Sequence, residues 1–454
     1  MQDVLGVAAP FFADRGGPIL SVQMDDDQAI GAQNYNGPNF WKYMDTLRKF
    51  AKQATDHPPI LYFLDAAQMR LNAEANDALP EPFWNQGQDY PWTGPGGYST
   101  PAEAAKNKFL LEILKTQPLF IPAHIEFQAG WWPTQDDTFA RLVDPSNTLM
   151  ATRVMFQNGL KGLSYFPPND TIYPAGYAVQ WINHFYVWEA ALNFLGKEAD
   201  RVVYVRRNGR LIAGMGPLLA SSHLLPDAGV VYPMATFPQE PMTAAEALHV
   251  VTLGGRLLWA GAYEHFNFEL IDSDHTPLEN FQRYRILLAP NVVNSKEELK
   301  RFPHLERYSE KAQQMLSEYA SSGGTLIIFP SLPTGKIFDN LLEPFGKDRQ
   351  VPGDNVLRFS AGAATRAVGF HSVLTLPKKP RTEVRIFARD ARGGIVGARI
   401  AHGKGQIIFF GADFSTWSVP EGTPFTSEGT QKAGARDYPE EAQQAPRAWR
   451  CPPC

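Results

Sequence analysis

The sequence predicts an α/β protein: a partial (β/α)8 barrel, followed by a smaller doubly wound domain and a short β-rich part. Two observations carry this. Short apolar runs alternate with helix-period stretches along residues 18–195, the pattern of a parallel sheet with helical crossovers. The charged and polar residues that could do chemistry cluster where a run ends and its loop begins, which is where barrel enzymes place their sites.

Pro18–Met24 reads as the first buried strand. Phe40, Tyr43, Met44, Leu47 and Phe50 recur at helical spacing over Asn39–Ala54, and His57-Pro58-Pro59 ends that helix. Ile60–Leu64 is a strand ending in Asp65. Residues 78–100 are rich in Pro, Gly and aromatics, a long loop around a short strand near Phe83. Thr100 and Pro101 are N-cap and first residue of a helix to Thr116. Leu119–Glu126 is a strand, Asn147–Gln157 a helix, Lys161–Phe166 a strand and Tyr177–Leu195 a long aromatic helix.

A boundary falls near Lys197–Asp200. Beyond it, Val202–Val205, Gly229–Tyr232, Phe266–Ile271, Arg285–Ala289 and Thr325–Phe329 read as strands, and Thr243–Leu258 and Leu305–Ser321 as helices. The second helix is closed by glycine at Gly323-Gly324. The β-rich part shows Val356–Phe359, Val373–Leu376, Glu383–Phe387 and Ile395–Ile400, before Gly405–Gly411 returns as a buried strand. The expected division is 1–197, 198–349, 350–419 and a disordered tail from 420.

Composition narrows the function. With 42 basic and 47 acidic residues the net charge is −5, and no basic run suggests a nucleic-acid partner. No apolar run approaches the ~18 residues of a membrane span. The two cysteines, Cys451 and Cys454, stand alone at the end of the chain, so neither disulfide nor metal is expected to hold the core. Gly214-Met-Gly216 lacks the spacing of a dinucleotide site. No cofactor is implied. Compartment and oligomeric state stay open.

Two acidic strand ends carry the candidate chemistry. Asp25, Asp26 and Asp27 terminate an apolar strand; residues 25 and 27 share one face, and three adjacent carboxyls repel, which should raise at least one pKa. Glu126 lies in a nearly continuous apolar stretch, Phe120–Trp132, where a carboxylate is costly unless paired or used. His124 precedes it by two residues and is expected on the same face, in a core role or supporting Glu126 from behind, rather than as a metal ligand. Seven of the ten tryptophans lie before residue 190. Of these, Trp84, Trp92, Trp131 and Trp132 fall in loops, where flat rings could stack on sugars; Trp181 and Trp188 read as packing.

The segment Gly17–Asp27 resembles the GGPI…VQVENEYG motif of the β-galactosidases of glycoside hydrolase family 35, and Ile125–Trp132 resembles that family's TEFWxGWF motif. Gly159–Phe166 looks like its last barrel strand, and the second domain is similar to the flavodoxin-like domain of family 42. The resemblance implies hydrolysis of terminal β-galactosides or related β-glycosides by a retaining mechanism, with Asp27 as acid/base and Glu126 as nucleophile. It also implies an oligosaccharide or β-glycoside substrate contacted by Asp25, Asp26 and Tyr165; Asp65, at its strand end, is a further candidate contact. Aspartate at all three positions of the ENE motif retracts each glutamate-derived carboxyl by about 1.5 Å. A carbohydrate-binding pseudoenzyme, or a β-glucan-active glycosidase or transglycosylase, therefore remains an alternative. Only 26 residues precede Asp27, where three βα units of a ~250-residue barrel would be needed. The chain is accordingly expected to be a fragment.

Overall fold

The computed structural model describes residues 2–24, 38–54, 60–64, 84–89, 120–128, 144–172, 185–186, 189–232, 265–290, 308–329, 345–352, 355–367, 370–378 and 383–412, with isolated positions between them. Elements are numbered in chain order. The first sheet contains β1 (Ser21–Gln23), β2 (Ile60–Leu64), β3 (Trp84–Asp89), β4 (Phe120–Gln128) and β5 (Gly162–Phe166). All four pairings are parallel and the spatial order is the chain order. Helix α1 (Gln2–Ala8) packs on α2 (Pro38–Ala54) through Leu5, Met44 and Leu47, with Phe12 beneath. Lys108, Leu111, Glu112 and Lys115 are helical, in the crossover from β3 to β4. Helix α3 (Ser146–Gln157) links β4 to β5. Leu111, Phe127, Ala151, Met155 and Leu160 form the core between this part of the sheet and its helices.

Two sequence expectations fail here. Val202–Val205 is not a strand but the start of α4 (Val202–Ser221). Four β-branched or aromatic residues favour a strand locally, but that preference is weak and tertiary packing overrides it. Here Asn208, the buried residue of the helix, donates to Thr148 O (3.3 Å) and Tyr165 Oη (2.8 Å). Lys161 Nζ donates to the carbonyls of Leu219 (2.5 Å) and Ser222 (2.6 Å), satisfying acceptors left open at the end of α4. Helix α4 thus packs on the first sheet's helices.

The long aromatic helix also fails over its described part. Phe185–Tyr186 (β7) pairs antiparallel with Thr171–Ile172 (β6), and residues 189–200 are irregular, with turns, bends and isolated bridges at Leu192 and Glu198. Side chains there consume the amides a helix would use. Asn193 Oδ1 accepts from Leu195 N (2.9 Å) and Lys197 N (3.0 Å), and Asp170 Oδ1 accepts from Ala190 N (3.2 Å).

The second sheet has a parallel part: β8 (Ala228–Tyr232), β9 (Phe268–Asp272), β10 (Ile286–Ala289), β11 (Thr325–Ile328) and β18 (Gly405–Phe410). Their spatial order is β9-β8-β10-β11-β18. Numbered along the chain this is 2-1-3-4-5, one of the two common doubly wound orders. Every residue of β8 is buried, which explains its continuous apolar run. Short α5 (Leu278–Phe281) follows β9. Helix α6 (Glu310–Ser322) starts five residues later than its periodicity suggests, at Ser309, whose Oγ accepts from Ala312 N; its end is capped at Gly323 with φ 130°. Tyr308, Ala312, Leu316 and Tyr319 cover the sheet.

Between β11 and β18 the chain makes the antiparallel strands β12 (Lys347–Pro352), β13 (Asn355–Phe359), β14 (Ala364–Ala367), β15 (Phe370–Thr375), β16 (Val384–Asp390) and β17 (Ile395–His402). Strands β12 and β14 are absent from the sequence reading; Lys347–Pro352 is too polar to stand out as a run. The two parts of the molecule meet at β9, the terminal strand of its sheet. Glu112 Oε2 accepts from Leu270 N (3.0 Å) and Lys108 Nζ donates to Asn267 Oδ1 (2.7 Å).

Candidate active site

Glu126 is two residues from the end of β4, half-buried. Its surroundings follow from an irregularity in the strand. On one side Gly87 stands opposite His124 and Gln88 opposite Glu126, so two steps along β4 match one along β3. On the other side His124 stands opposite Leu163 and Phe127 opposite Tyr165, so three steps match two along β5. Ile125 is the extra residue of a β-bulge, a device that re-aims side chains.

The bulge corrects the expectation for His124. Phe127 is fully buried among Leu111, Ala151 and Met155, on the helix side of the sheet. His124 is fully buried as well, with its ring 6.3 Å from that of Phe127. A strand of period two cannot put residues 124 and 127 on one face without an added residue. His124 therefore belongs to the helix layer, in the core role read from the sequence, and Ile125 and Glu126 fall on the opposite face.

Tyr165 is turned to the helix layer too. Its ring lies edge-on to Phe127 at 6.2 Å, and its hydroxyl meets Thr152 Oγ1 (2.8 Å) and Asn208 Nδ2 (2.8 Å). Burial raises the Tyr165 pKa, against the two hydrogen bonds, which lower it. The structure thus separates Tyr165 from the face that carries Glu126. The loop expectation fails for Trp84, whose backbone is the first residue of β3, opposite Tyr62, because the strand near Phe83 runs on through Trp84–Asp89. Asp25, Asp26, Asp27, Asp65, Trp92, Trp131 and Trp132 lie outside the described residues.

The sequence reading missed a polar group at the same end of the sheet. In a parallel sheet with crossovers, strand C-termini and helix N-termini share one face. Arg201, at the N-terminus of α4, reaches Thr148 in the first turn of α3 and Glu189 in the segment after β5. These partners are up to 53 positions apart in sequence, so no local pattern announces them. Among the described residues, no group of three or more His, Cys, Asp or Glu is placed to hold a metal ion, and no helix is long and apolar enough to cross a membrane.

No family model matches the chain. The exo-β-D-glucosaminidase of Pyrococcus horikoshii is 27% identical over 164 residues, which is 34% of this chain and 19% of that protein. Among solved structures, the exo-β-1,4-mannosidase Op5Man5 of Opitutaceae bacterium strain TAV5 aligns with a TM-score of 0.64 at 12% identity, over 97% of this chain and 74% of its own. The GH42 β-galactosidase Gan42B of G. stearothermophilus aligns at 0.59 and 14% identity, over 85% and 55%. The β-galactosidase of Bacillus circulans sp. alkalophilus aligns at 0.58 and 13%, over 83% and 54%. The chain spans about a fifth of the curated relative and little more than half of the two β-galactosidases. It has a mixed α/β fold resembling GH42 β-galactosidases and related clan-A glycosidases.

Proposed function

We propose that this chain carries the catalytic carboxyls of a retaining β-glycosidase, with Glu126 as nucleophile and Asp27 as acid/base. The observation that carries the reading is the placement of Glu126, near the C-terminal end of a parallel strand and on the face away from the helix core. The names of the structural neighbours favour a β-glycoside as substrate, and the family 35-like motifs favour a β-galactoside. In the reaction Glu126 attacks the anomeric carbon while Asp27 protonates the leaving oxygen; Asp27 then takes a proton from water, which displaces Glu126. Register supports the pairing by counting alone. Gln23, Tyr62 and Trp84 stand side by side, and Glu126 stands beside Gln88, four residues past Trp84. In sequence, Asp27 is four residues past Gln23.

In this reading β1–β5 are strands four to eight of a (β/α)8 barrel, and the unit built on β8–β11 and β18 is flavodoxin-like. The contacts of α4 favour a boundary near Ser222 rather than 197. Val4, Val7, Phe11 and Leu20 beside β1, and Val203, Met215 and Leu218 on α4 beyond β5, are exposed, as expected if further βα units cover both ends of the sheet.

The test is Glu126→Gln in the chain together with any preceding segment. It should abolish turnover of 4-nitrophenyl β-D-galactoside with the melting temperature unchanged, and retained turnover refutes the assignment. Proton NMR of the first-formed sugar anomer separates retention from inversion. The shorter side chain at Asp27 favours one second reading, a sugar-binding protein without turnover. Calorimetric binding of galactose with no release of nitrophenol would select it.

A further inference from the structure

The segment after β5 is fastened to the strand ends through one buried arginine. Arg201 is 2% exposed. Its Nε donates to Glu189 O (2.6 Å), Nη2 to Glu189 Oε2 (3.1 Å), and Nη1 to Thr148 Oγ1 (2.6 Å) and Pro145 O (3.5 Å). Glu189 itself has φ 52°, in the left-handed region that a long side chain rarely adopts. Such a conformation persists only where its surroundings hold it, and it tends to mark sites rather than scaffolding.

The two arms of the segment are zipped together. Leu192 N donates to Pro168 O (3.2 Å), Asp170 N to Leu192 O (2.9 Å) and Ala190 N to Asp170 Oδ1 (3.2 Å). Asp170 is buried. Residues 167–172 and 189–200 thus form one stem, and Arg201 ties it to the N-terminal turn of α3. That turn lies on the face where β4 and β5 end, the face that Glu126 approaches. The planar fork presents its donors to a main-chain carbonyl, a carboxylate and a hydroxyl in one rigid geometry, which the compact ammonium of lysine does not reproduce.

We propose that Arg201 is a positioning residue. By holding Glu189 in its left-handed turn it sets the stem formed by residues 167–172 and 189–200 as a wall of the Glu126 site, against which a β-glycoside is held. This rests on the glycosidase reading above. Loss of the fork should cost substrate binding more than the chemical step, since the acceptors of the fork, on Glu189, Thr148 and Pro145, are not the proposed reacting carboxyls.

The experiment compares the full chain with Arg201→Met, Arg201→Lys and Glu189→Gln. Amide hydrogen exchange at Asp170 and Ala190 reads the fastening, and steady-state kinetics on 4-nitrophenyl β-D-galactoside reads the wall. Arg201→Met should speed exchange at both amides and raise KM about tenfold with kcat within about twofold. Arg201→Lys should fall between, and Glu189→Gln, which keeps the backbone acceptor, should stay near the parent. Unchanged exchange overturns the proposal. So does a fall in kcat at constant KM, or a loss of thermal stability with both constants intact, which marks a structural brace only. A parent chain that neither turns over the substrate nor binds galactose sinks the glycosidase reading and the wall with it, while the exchange arm still decides the fastening.

Discussion

Glu112→Leu tests how the two parts of the molecule are joined. Strand β9 ends its sheet, and an end strand presents unpaired amides. Glu112, fully buried, takes the place of a neighbouring strand's carbonyl: Oε2 accepts from Leu270 N at 3.0 Å while Oε1 accepts from Lys115 Nζ at 2.8 Å. Leucine leaves the Leu270 amide buried without an acceptor, which costs about 1–3 kcal/mol. Breaking a fully buried ion pair would cost more, about 3–5 kcal/mol. Lys115, however, is 21% exposed and lies 3.7 Å from Glu269, so it can rehydrate and keep a partner. The amide penalty therefore dominates, and the expected loss is about 2–3 kcal/mol. Glu112→Gln retains an acceptor oxygen and should lose about 1 kcal/mol or less. Urea unfolding at constant m measures both, and hydrogen exchange at Leu270 localises the effect. A leucine variant within about 0.5 kcal/mol of the parent, or a glutamine variant equally damaged, refutes the reasoning.

Two further predictions concern groups away from Glu126. At Asp390, burial works to raise the pKa, but hydrogen bonds from His371 Nε2 (3.1 Å) and the amides of Gly394 (2.6 Å) and Arg392 (3.0 Å) outweigh it and hold the carboxyl below its ordinary value. A carboxyl lowered on folding stabilises above its unfolded pKa of about 3.9 and loses that contribution as pH falls through the folded value. The gap in urea midpoint between parent and Asp390→Asn should be constant near neutral pH and close below about pH 4; an equal gap at both ends contradicts it. Tyr165→Phe should cost about 1–2 kcal/mol, through the bonds to Thr152 and Asn208, with sugar affinity unchanged. Weakened sugar binding at full stability would put Tyr165 back in the site.

The parallel strands of the second sheet were legible because both faces are covered. Ala228–Tyr232 and Ile286–Ala289 read as unbroken apolar runs. The cap at Gly323 was legible because a left-handed helix end favours glycine. Val202–Ser221 was not, since its first four residues look like a strand and the contacts that make it a helix come from Thr148 and Tyr165, far back in the chain. The same distance hid Arg201 and Glu112. Glu126 was visible because a carboxylate inside an apolar run is costly and demands a reason.

What the sequence could not show was the relation between Glu126 and His124. Read with period two, they share a face. One added residue, Ile125, sends His124 into the helix core with Phe127 and leaves Glu126 behind. Glu126 then faces away from the residue two positions back on its own strand. A two-carboxylate mechanism then draws its acid/base from another strand; Asp27 follows β1, three strands from β4 in the sheet, so a retaining separation of about 5–5.5 Å has to be reached across the interior of a closed barrel rather than between neighbouring strands. The second residue to mutate is therefore Asp27, the acid/base of the proposed reading. Asp27→Asn should slow turnover of a poor leaving group far more than of 4-nitrophenolate, because only the former needs a proton to depart; equal slowing of both would mean that Asp27 is not the acid.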